Sequence, residues 1–426
     1  MTDIVVIGGG VAGIQAALDL AGHGMHVHLV EREPSIGGHM AQLDKTFPTN
    51  DCSMCILSPK MVDVSRNPDI TIHTCAEVES VEGEAGHFLV TVKKHPRYVD
   101  EVACTGCGDC IQICPVEVYN RFDAGTGVRK AIYKPHAQAV PDVVVRDTEH
   151  CIECGLCYDA CGPGAVLHED TEKTFVIEAA SIVITTGYGI FDAKKKKPFN
   201  YLALPDVVTS LELERMINAG GPTGGKVKRM STGQVPKSIL FIQCVGSRDI
   251  PAGRPYCSCV CCMQAIKNAM LIKEKNPAMD VTILYMDVRA YGKGYEEYYE
   301  RAKTTGVRFL RGMPSDILPD RDGMVLQVED TETSAVHTLR PELVVLSVGM
   351  EPAEGGAALA ERLGIACEDS GFIRVANDAV DTAVTTRPGI YIAGAAGAPR
   401  DIPDSVASAG SAAMRAWITG KRMRSA

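Results

Sequence analysis

Residues 3–33, DIVVIGGGVAGIQAALDLAGHGMHVHLVERE, read as a strand, a glycine turn, an amphipathic helix and a second strand. The turn fits G-x-G-x-x-G through Gly8, Gly10 and Gly13, and the second strand runs into Glu31. A glycine triplet alone constrains little. Set between a strand and a helix, with an acid about twenty residues on, it specifies a Rossmann-type βαβ unit that binds a dinucleotide. Gly10 lets the backbone approach a pyrophosphate, while the helix N-terminus supplies unpaired N–H groups and the positive end of a dipole. Glu31 is then placed to accept hydrogen bonds from ribose hydroxyls.

The second constraint is sulfur. The chain has 17 cysteines in 426 residues, most in tight CxxC spacings. A disulfide framework belongs to small secreted domains, so in a chain this large the density reads as metal binding or redox chemistry. CTGCGDCIQICP (104–115) and CIECGLCYDACGP (151–163) are each C-x2-C-x2-C-x3-C. Two such runs in tandem are the signature of a two-cluster bacterial ferredoxin, in which the fourth cysteine of each run serves the other cluster. Cys104, Cys107, Cys110 and Cys161 are expected to hold one [4Fe–4S], and Cys151, Cys154, Cys157 and Cys114 the other. Zinc is the competing reading, but structural zinc sites use separated CxxC pairs rather than packed triplets. The linker from Pro115 to His150 is long for a small ferredoxin and predicts an extra hairpin or loop. In the second run Gly162 precedes Pro163, which offsets the usual Cys-Pro pair by one residue.

Length and charge bound the rest. A chain of this size buries a large core and divides into two or three domains. A formal charge of -10 argues against nucleic acid as a partner. AKKKKP (193–198) is the one basic block, a solvated loop or a docking patch for an acidic partner. No window approaches 18 consecutive apolar residues, so no membrane span is expected. MTDIVVIGGG enters a strand directly, without a basic region or cleavage site, which predicts a cytoplasmic protein without a signal peptide.

After Glu31, REPSIGGHMAQ carries a second glycine pair, Gly37 and Gly38. IVITTGY (182–188) and PGIYIAGAAG (388–397) follow much later. Together these resemble the FAD-binding domain of the thioredoxin-reductase and glutathione-reductase superfamily. That resemblance implies an α/β, Rossmann-type two-domain flavoprotein whose FAD domain is built from both ends of the chain. Here a two-cluster ferredoxin α+β domain is inserted as well. It also implies FAD contacts at Gly37, Gly38, Gly187, Gly394, Ser405 and Val406. Ala395 departs from the superfamily, standing where an Asp would contact the ribityl chain; Asp401 and Asp404 are the candidate substitutes. RDIPDSVASAGSAAMRAWITG (400–420) reads as a helix with Pro403 in its first turn. In the superfamily this helix points its N-terminus at the flavin's pyrimidine end, where a positive dipole favours an anionic reduced ring.

VPKSILFIQ (235–243) reads as the first strand of a second Rossmann-like domain. A pyridine-nucleotide enzyme would continue with a glycine-rich turn, whereas this chain continues CVGSRDIPAGRPYCSCVCC. A thiol takes the first position, two prolines follow, and the NAD(P)H cradle is expected to be lost. Cys244, Cys257, Cys261 and Cys262 form C-x12-C-x3-C-C, a spacing that can close a cube from a strand end and a first helical turn. Spacing alone leaves a third cluster open.

GGHMAQLDKTFPTNDCSMCILSPKMV, CTGCGDC, QCVGSRD, YCSCVCCMQA, YGKGYEE (291–297) and DIPDSVASA resemble the A subunit of heterodisulfide reductase, across nearly the whole chain. The resemblance implies a third [4Fe–4S] on Cys244, Cys257, Cys261 and Cys262, with Cys259 as a non-ligand. It implies flavin-based electron bifurcation with ferredoxin, which spacing and composition do not show. It further implies HdrB- and HdrC-like partner subunits, an electron-donating oxidoreductase or hydrogenase subunit, and a homodimer within a larger complex. Longer members of the family carry an N-terminal domain and a C-terminal ferredoxin domain with further clusters. These are expected to be absent here or supplied by a partner.

Cys52 and Cys55 in DCSMC admit three readings: a redox dithiol facing the flavin, ligands of a shared cluster, or accessory thiols. Cys75 and Cys367 read as buried small hydrophobes. Lys293, with Glu296 and Glu297, marks either a solvated helix start or a flavin-proximal group. The expected domains are a first FAD-binding segment (1–96), the ferredoxin insert (97–175), the FAD return and linker (176–234), the second Rossmann-like domain (235–350) and a closing FAD-binding segment (351–426). Two functions compete. One is a flavin and iron–sulfur oxidoreductase subunit that converts two-electron flavin chemistry into one-electron cluster transfer. The other is a self-sufficient NAD(P)H- or dithiol-linked disulfide oxidoreductase using Cys52 and Cys55.

Overall fold

The fold was analysed in a computed structural model, which describes residues 3–321 and 323–424. The chain divides into two compact units, one of residues 1–41, 54–188 and 352–426, the other of 42–53 and 189–351.

The first unit is organised by a seven-stranded sheet. Five strands run parallel in the order Ile390–Ile392, Ser181–Ile184, Asp3–Ile7, His26–Val30 and Ile70–His73. The near-continuous apolar runs IVVI and SIVI suit strands covered on both faces. Ile4, Val6, Val27 and Leu29 face the helix Val11–Gly22 and the long helix Ile402–Arg424. Ala12, Ala16 and Ala17 on one helix and Ala409, Ala412 and Ala413 on the other keep this layer thin. Val5, Ile7 and Val30 on the opposite face pack with an antiparallel sheet of Ala76–Glu84, His87–Lys94 and Lys173–Ala179. Burying a Val, Ile or Leu side chain stabilises by roughly 1.5–3 kcal/mol, so the two layers together fix the strand Asp3–Ile7 that leads into the glycine turn.

The cysteine-rich insert belongs to this unit. It has two short helices, Asp109–Ile113 and Leu156–Asp159, and a two-stranded ladder of Ile132–Tyr133 with Val145–Arg146. Its small core is built on Val99, Ile132, Val143, Val144 and Val166. The long linker contains a hairpin, Glu117–Tyr119 against Val128–Lys130.

The second unit has an all-parallel sheet in the order Val207–Thr209, Leu343–Val348, Ser238–Val245, Asp280–Tyr285 and Arg308–Arg311. The helix Cys261–Lys275 covers one face through Met263, Ile266, Met270 and Ile272. An antiparallel sheet of Leu318–Asp320, Gly323–Asp330 and Ala335–Leu339 accompanies the core on the other face.

The division differs from the sequence boundaries in two places. The second unit starts at 189, not 235. Thr209 and Glu212 form a capping box that opens the helix Ser210–Ile217, and the strand before that helix joins the parallel sheet. Residues 42–53, read as belonging to the flavin domain, also fall in the second unit. Buried Glu214 accepts the Asp44 N–H at 3.1 Å, Lys267 donates to the Lys45 carbonyl at 3.0 Å, and Arg215 donates to the Gln42 carbonyl at 2.9 Å. Tyr298 donates to Asn50 Oδ1 at 2.6 Å.

Candidate functional site

Three of the expected glycines each meet a different physical demand. Gly8 has φ +106°, and a Cβ there would lie 2.5 Å from the Thr185 carbonyl oxygen. At Gly13 a Cβ would lie 1.9 Å from the Gly8 carbonyl oxygen, so helix and turn close only without a side chain. At Gly10, the N-cap of Val11–Gly22, a Cβ would meet nothing within 4 Å and no side chain caps the helix. Its bareness is therefore unexplained by the protein itself and fits a close-lying pyrophosphate. Gly38 has φ +55°, with its Cβ position 3.0 Å from the Gly10 Cα; Gly37 has φ +125°.

Glu31 is buried and accepts the Gly9 N–H at 2.6 Å and the Glu33 N–H at 2.8 Å. Burial raises its carboxyl above the usual range, and those two hydrogen bonds pull against the rise. Gly187 lies beyond the strand Ser181–Ile184 at φ +70°. The Gly394 N–H donates to Ser408 Oγ at 2.9 Å, which ties the Gly394–Ala396 turn to the long C-terminal helix. In that helix's first turn Ser405 is buried and Val406 half-buried, and Ala395 is buried. Asp401 accepts the Asp404 N–H at 2.9 Å. Arg400, just before that helix, carried no expectation in the sequence. It is half-buried, burial lowers its pKa, and Asp404 is the charge opposing that shift. A lone arginine just before DIPDSVASA was the available signal.

The insert brings its cysteines together in crossed sets. Cys114, Cys151, Cys154 and Cys157 line one cavity of about 380 Å³ with Arg146, whose buried Nε has no hydrogen-bond partner among the described residues. Cys104, Cys107, Cys110 and Cys161 line a second, tighter hollow. Burial pushes the Cys110 thiol up to about 11, helped by Cys104, Cys161 and Cys107 beside it. Gly108 and Gly155, both left-handed, each open a short helix within the thiol runs.

In the second unit, the strand Ser238–Val245 pairs with Leu343–Val348 through Ile242↔Leu346 and then Val245↔Val348, so one extra residue is bulged out. Cys244 sits in that bulge at φ +59°, and a bulge of this kind re-aims a side chain at the end of a strand. Residues 247–258 fold back: the Ser258 N–H donates to Ser247 Oγ at 2.9 Å, and Ser258 Oγ accepts the Met350 N–H at 2.8 Å. This delivers Cys257 beside the helix start that carries Cys261 and Cys262. Burial raises Cys244 to about 12, with Cys262 the largest neighbouring charge, and raises Cys261 well above the ordinary thiol range with Cys244, Cys262 and Cys257 around it. Cys257 is lowered, first by a hydrogen bond from Cys259.

Among the described residues, the cysteines form no group of three or more whose ligand atoms lie within 4.8 Å of one another. A single zinc with bonds near 2.3 Å would draw its sulfurs to within about 4 Å of each other. Wider sets of four thiols are a donor chemistry that fits four-iron clusters.

Cys52 and Cys55 are disulfide-bonded, while the other fifteen cysteines are free. Cys75 is buried; Cys367, expected buried, is only half-buried, in an isolated bridge to Ile373. Lys293 is exposed, as are Glu296 and Glu297 in the first turn of Tyr295–Thr304.

This fold and these sites define a flavoprotein of the thioredoxin-reductase kind bearing a dicluster ferredoxin insert. The FAD dependent oxidoreductase family model matches residues 3–52, and the 4Fe-4S dicluster domain model matches 103–166. Thioredoxin reductases from Lactococcus lactis and T. acidophilum share the fold at TM-scores of 0.54 and 0.52. Their identities are 15% and 13%, with 99% and 98% of this chain and 100% and 99% of theirs covered. Sequence is more specific. The chain is 51% identical over 412 residues to the iron–sulfur A subunit of the CoB–CoM heterodisulfide reductase of Methanocaldococcus jannaschii, and 54% identical over 415 residues to an iron–sulfur A subunit of the same enzyme in Methanopyrus kandleri. These alignments cover 96% and 97% of this chain and 63% of each relative. The A subunit of the ferredoxin:CoB–CoM heterodisulfide reductase of Methanosarcina mazei is 45% identical over 415 residues, covering 97% of this chain and 52% of that protein. Over nearly its whole length the chain is thus similar to heterodisulfide reductase A subunits, and it spans rather less than two thirds of the length of these relatives.

Proposed function

We propose that this chain is the flavin and iron–sulfur electron-transfer portion of a heterodisulfide-reductase-like complex. In it, three thiol sets and one FAD site join two-electron to one-electron chemistry. A bound flavin exchanges electrons in pairs or singly, and each four-iron cluster exchanges one. Gly10 leaves the backbone open to the pyrophosphate, and Glu31 accepts from the ribose. Gly37, Gly38, Gly187, Gly394, Ser405 and Val406 line the remainder of the site. Cys104, Cys107, Cys110 and Cys161 hold the first cluster, Cys114, Cys151, Cys154 and Cys157 the second, and Cys244, Cys257, Cys261 and Cys262 the third.

The observation that carries this reading is the bulged strand end at Cys244. A thiol and a folded-back loop occupy the place where a hydride-donating nucleotide would need glycines. The disulfide chemistry then lies on HdrB- and HdrC-like partners. Electrons enter from a donor oxidoreductase or hydrogenase and leave partly to ferredoxin, within a cytoplasmic assembly built on a homodimer. Among the described residues no helix is long and apolar enough to cross a membrane.

Anaerobic mixing with NADH or NADPH, without any partner, tests it. The flavin is expected to stay oxidised over minutes. Rapid bleaching that is abolished by Cys52→Ser with Cys55→Ser would instead establish a self-sufficient reductase.

A further inference from the structure

At the N-terminal ends of the first unit's strands lies a cluster that the electron-transfer sites do not use. His26 and His28 alternate along one strand and so share a face, and Asp3 pairs in register with His26 on the next strand. Asp3 Oδ2 stands 3.4 Å from His26 Nδ1 and 3.1 Å from His28 Nε2, and all three ligand atoms lie within 4.8 Å of one another. The glycine turn is at the other end of these strands, so this cluster is separate from the flavin site.

Two features go beyond a polar patch. The two spacings from Asp3, 3.4 and 3.1 Å, lie close to the edge of a tetrahedron around an ion with bonds near 2.0–2.1 Å, which is about 3.3–3.4 Å long. Each imidazole is also held through its other ring nitrogen: His26 Nε2 contacts Thr71 Oγ1 at 3.2 Å, and His28 Nδ1 contacts His73 Nε2 at 3.1 Å. Both supports come from the third strand, Ile70–His73. Metal-binding histidines characteristically have such an outer partner, which fixes ring orientation and tautomer.

We propose that Asp3, His26 and His28 bind one first-row transition-metal dication of the zinc class, with Thr71 and His73 orienting the two imidazoles. Two nitrogens and a carboxylate oxygen suit that class better than magnesium or calcium. The ion would staple the first two strands directly and the third through the supporting residues. The fourth position is left to water.

The holoprotein, with iron and flavin content measured beforehand, is titrated with zinc chloride against a chromophoric chelator. One equivalent per chain is expected. Asp3→Ala and His28→Ala should each weaken binding about 100-fold or more, and His73→Phe should weaken it roughly 10–100-fold, the effect of losing an outer partner. Iron and flavin content should not change. No zinc equivalent in the wild type, or equal affinity in all three variants, overturns the proposal; the latter would assign the zinc to thiols. Should the variants fail to fold, anomalous scattering at the zinc edge from zinc-soaked wild-type crystals decides. A peak among Asp3, His26 and His28 supports the site, and its absence there removes it.

Discussion

Single residues carry the sharpest contrasts. Gly10 and Gly13 lie three apart in one turn, yet the space around them differs completely. Gly10→Ala should leave the fold intact, with stability changed by less than about 0.5 kcal/mol as for open surface sites, while FAD affinity falls more than tenfold. Gly13→Ala should destabilise by about 1–3 kcal/mol, as for other forced overpacking. Chemical denaturation and flavin titration of the two variants separate these outcomes. The cysteines of the second unit permit a similar comparison. Cys261→Ser should lower the iron content by about four atoms per chain, whereas Cys259→Ser should leave it unchanged on anaerobic iron assay. The motif glycines and the ferredoxin thiols stood out in the sequence because each run repeats within a few residues, although the fourth thiol of each set comes from the other run. Arg400 did not, because a single arginine before a helix has no spacing to test.

At the scale of elements, the βαβ unit, the linker hairpin and the thiol-rich helix start at Cys261 all announced themselves through local patterns. The segment 42–53 did not. What anchors it is a set of contacts 170 to 250 residues away in sequence, centred on the buried Lys267–Glu214 pair, with Lys267 at 1% and Glu214 at 0% exposure. No periodicity in the segment itself encodes that attachment. Lys267→Met would strand Glu214 as an unpaired buried charge. Removing one partner of such a pair typically costs about 3–5 kcal/mol, and urea denaturation should show a loss of that order. It should also open the segment 42–53, which limited proteolysis there would detect. A denaturation midpoint like that of wild type would mean the pair is not what holds the segment.

For the whole molecule, the sequence made the two-unit plan visible, since both ends of the chain carry flavin-type motifs and the middle carries a second parallel sheet. The missed boundary at 189 arose because the strand Val207–Thr209 has only three residues and sits at the edge of that sheet. Short edge strands leave little trace in a hydrophobic pattern. The third thiol set lay between these extremes: its spacing matches no common ferredoxin run, and only the bulge at Cys244 and the fold-back of residues 247–258 explain how four such cysteines meet. Whether that set holds a cluster decides whether the second unit relays single electrons or accepts hydride. Iron, sulfide and flavin analysis of anaerobically purified chain answers this most directly. The account predicts about twelve irons and one FAD per chain, from three four-iron clusters. About eight irons, with the thiols at 244, 257, 261 and 262 free to alkylate, would contradict it.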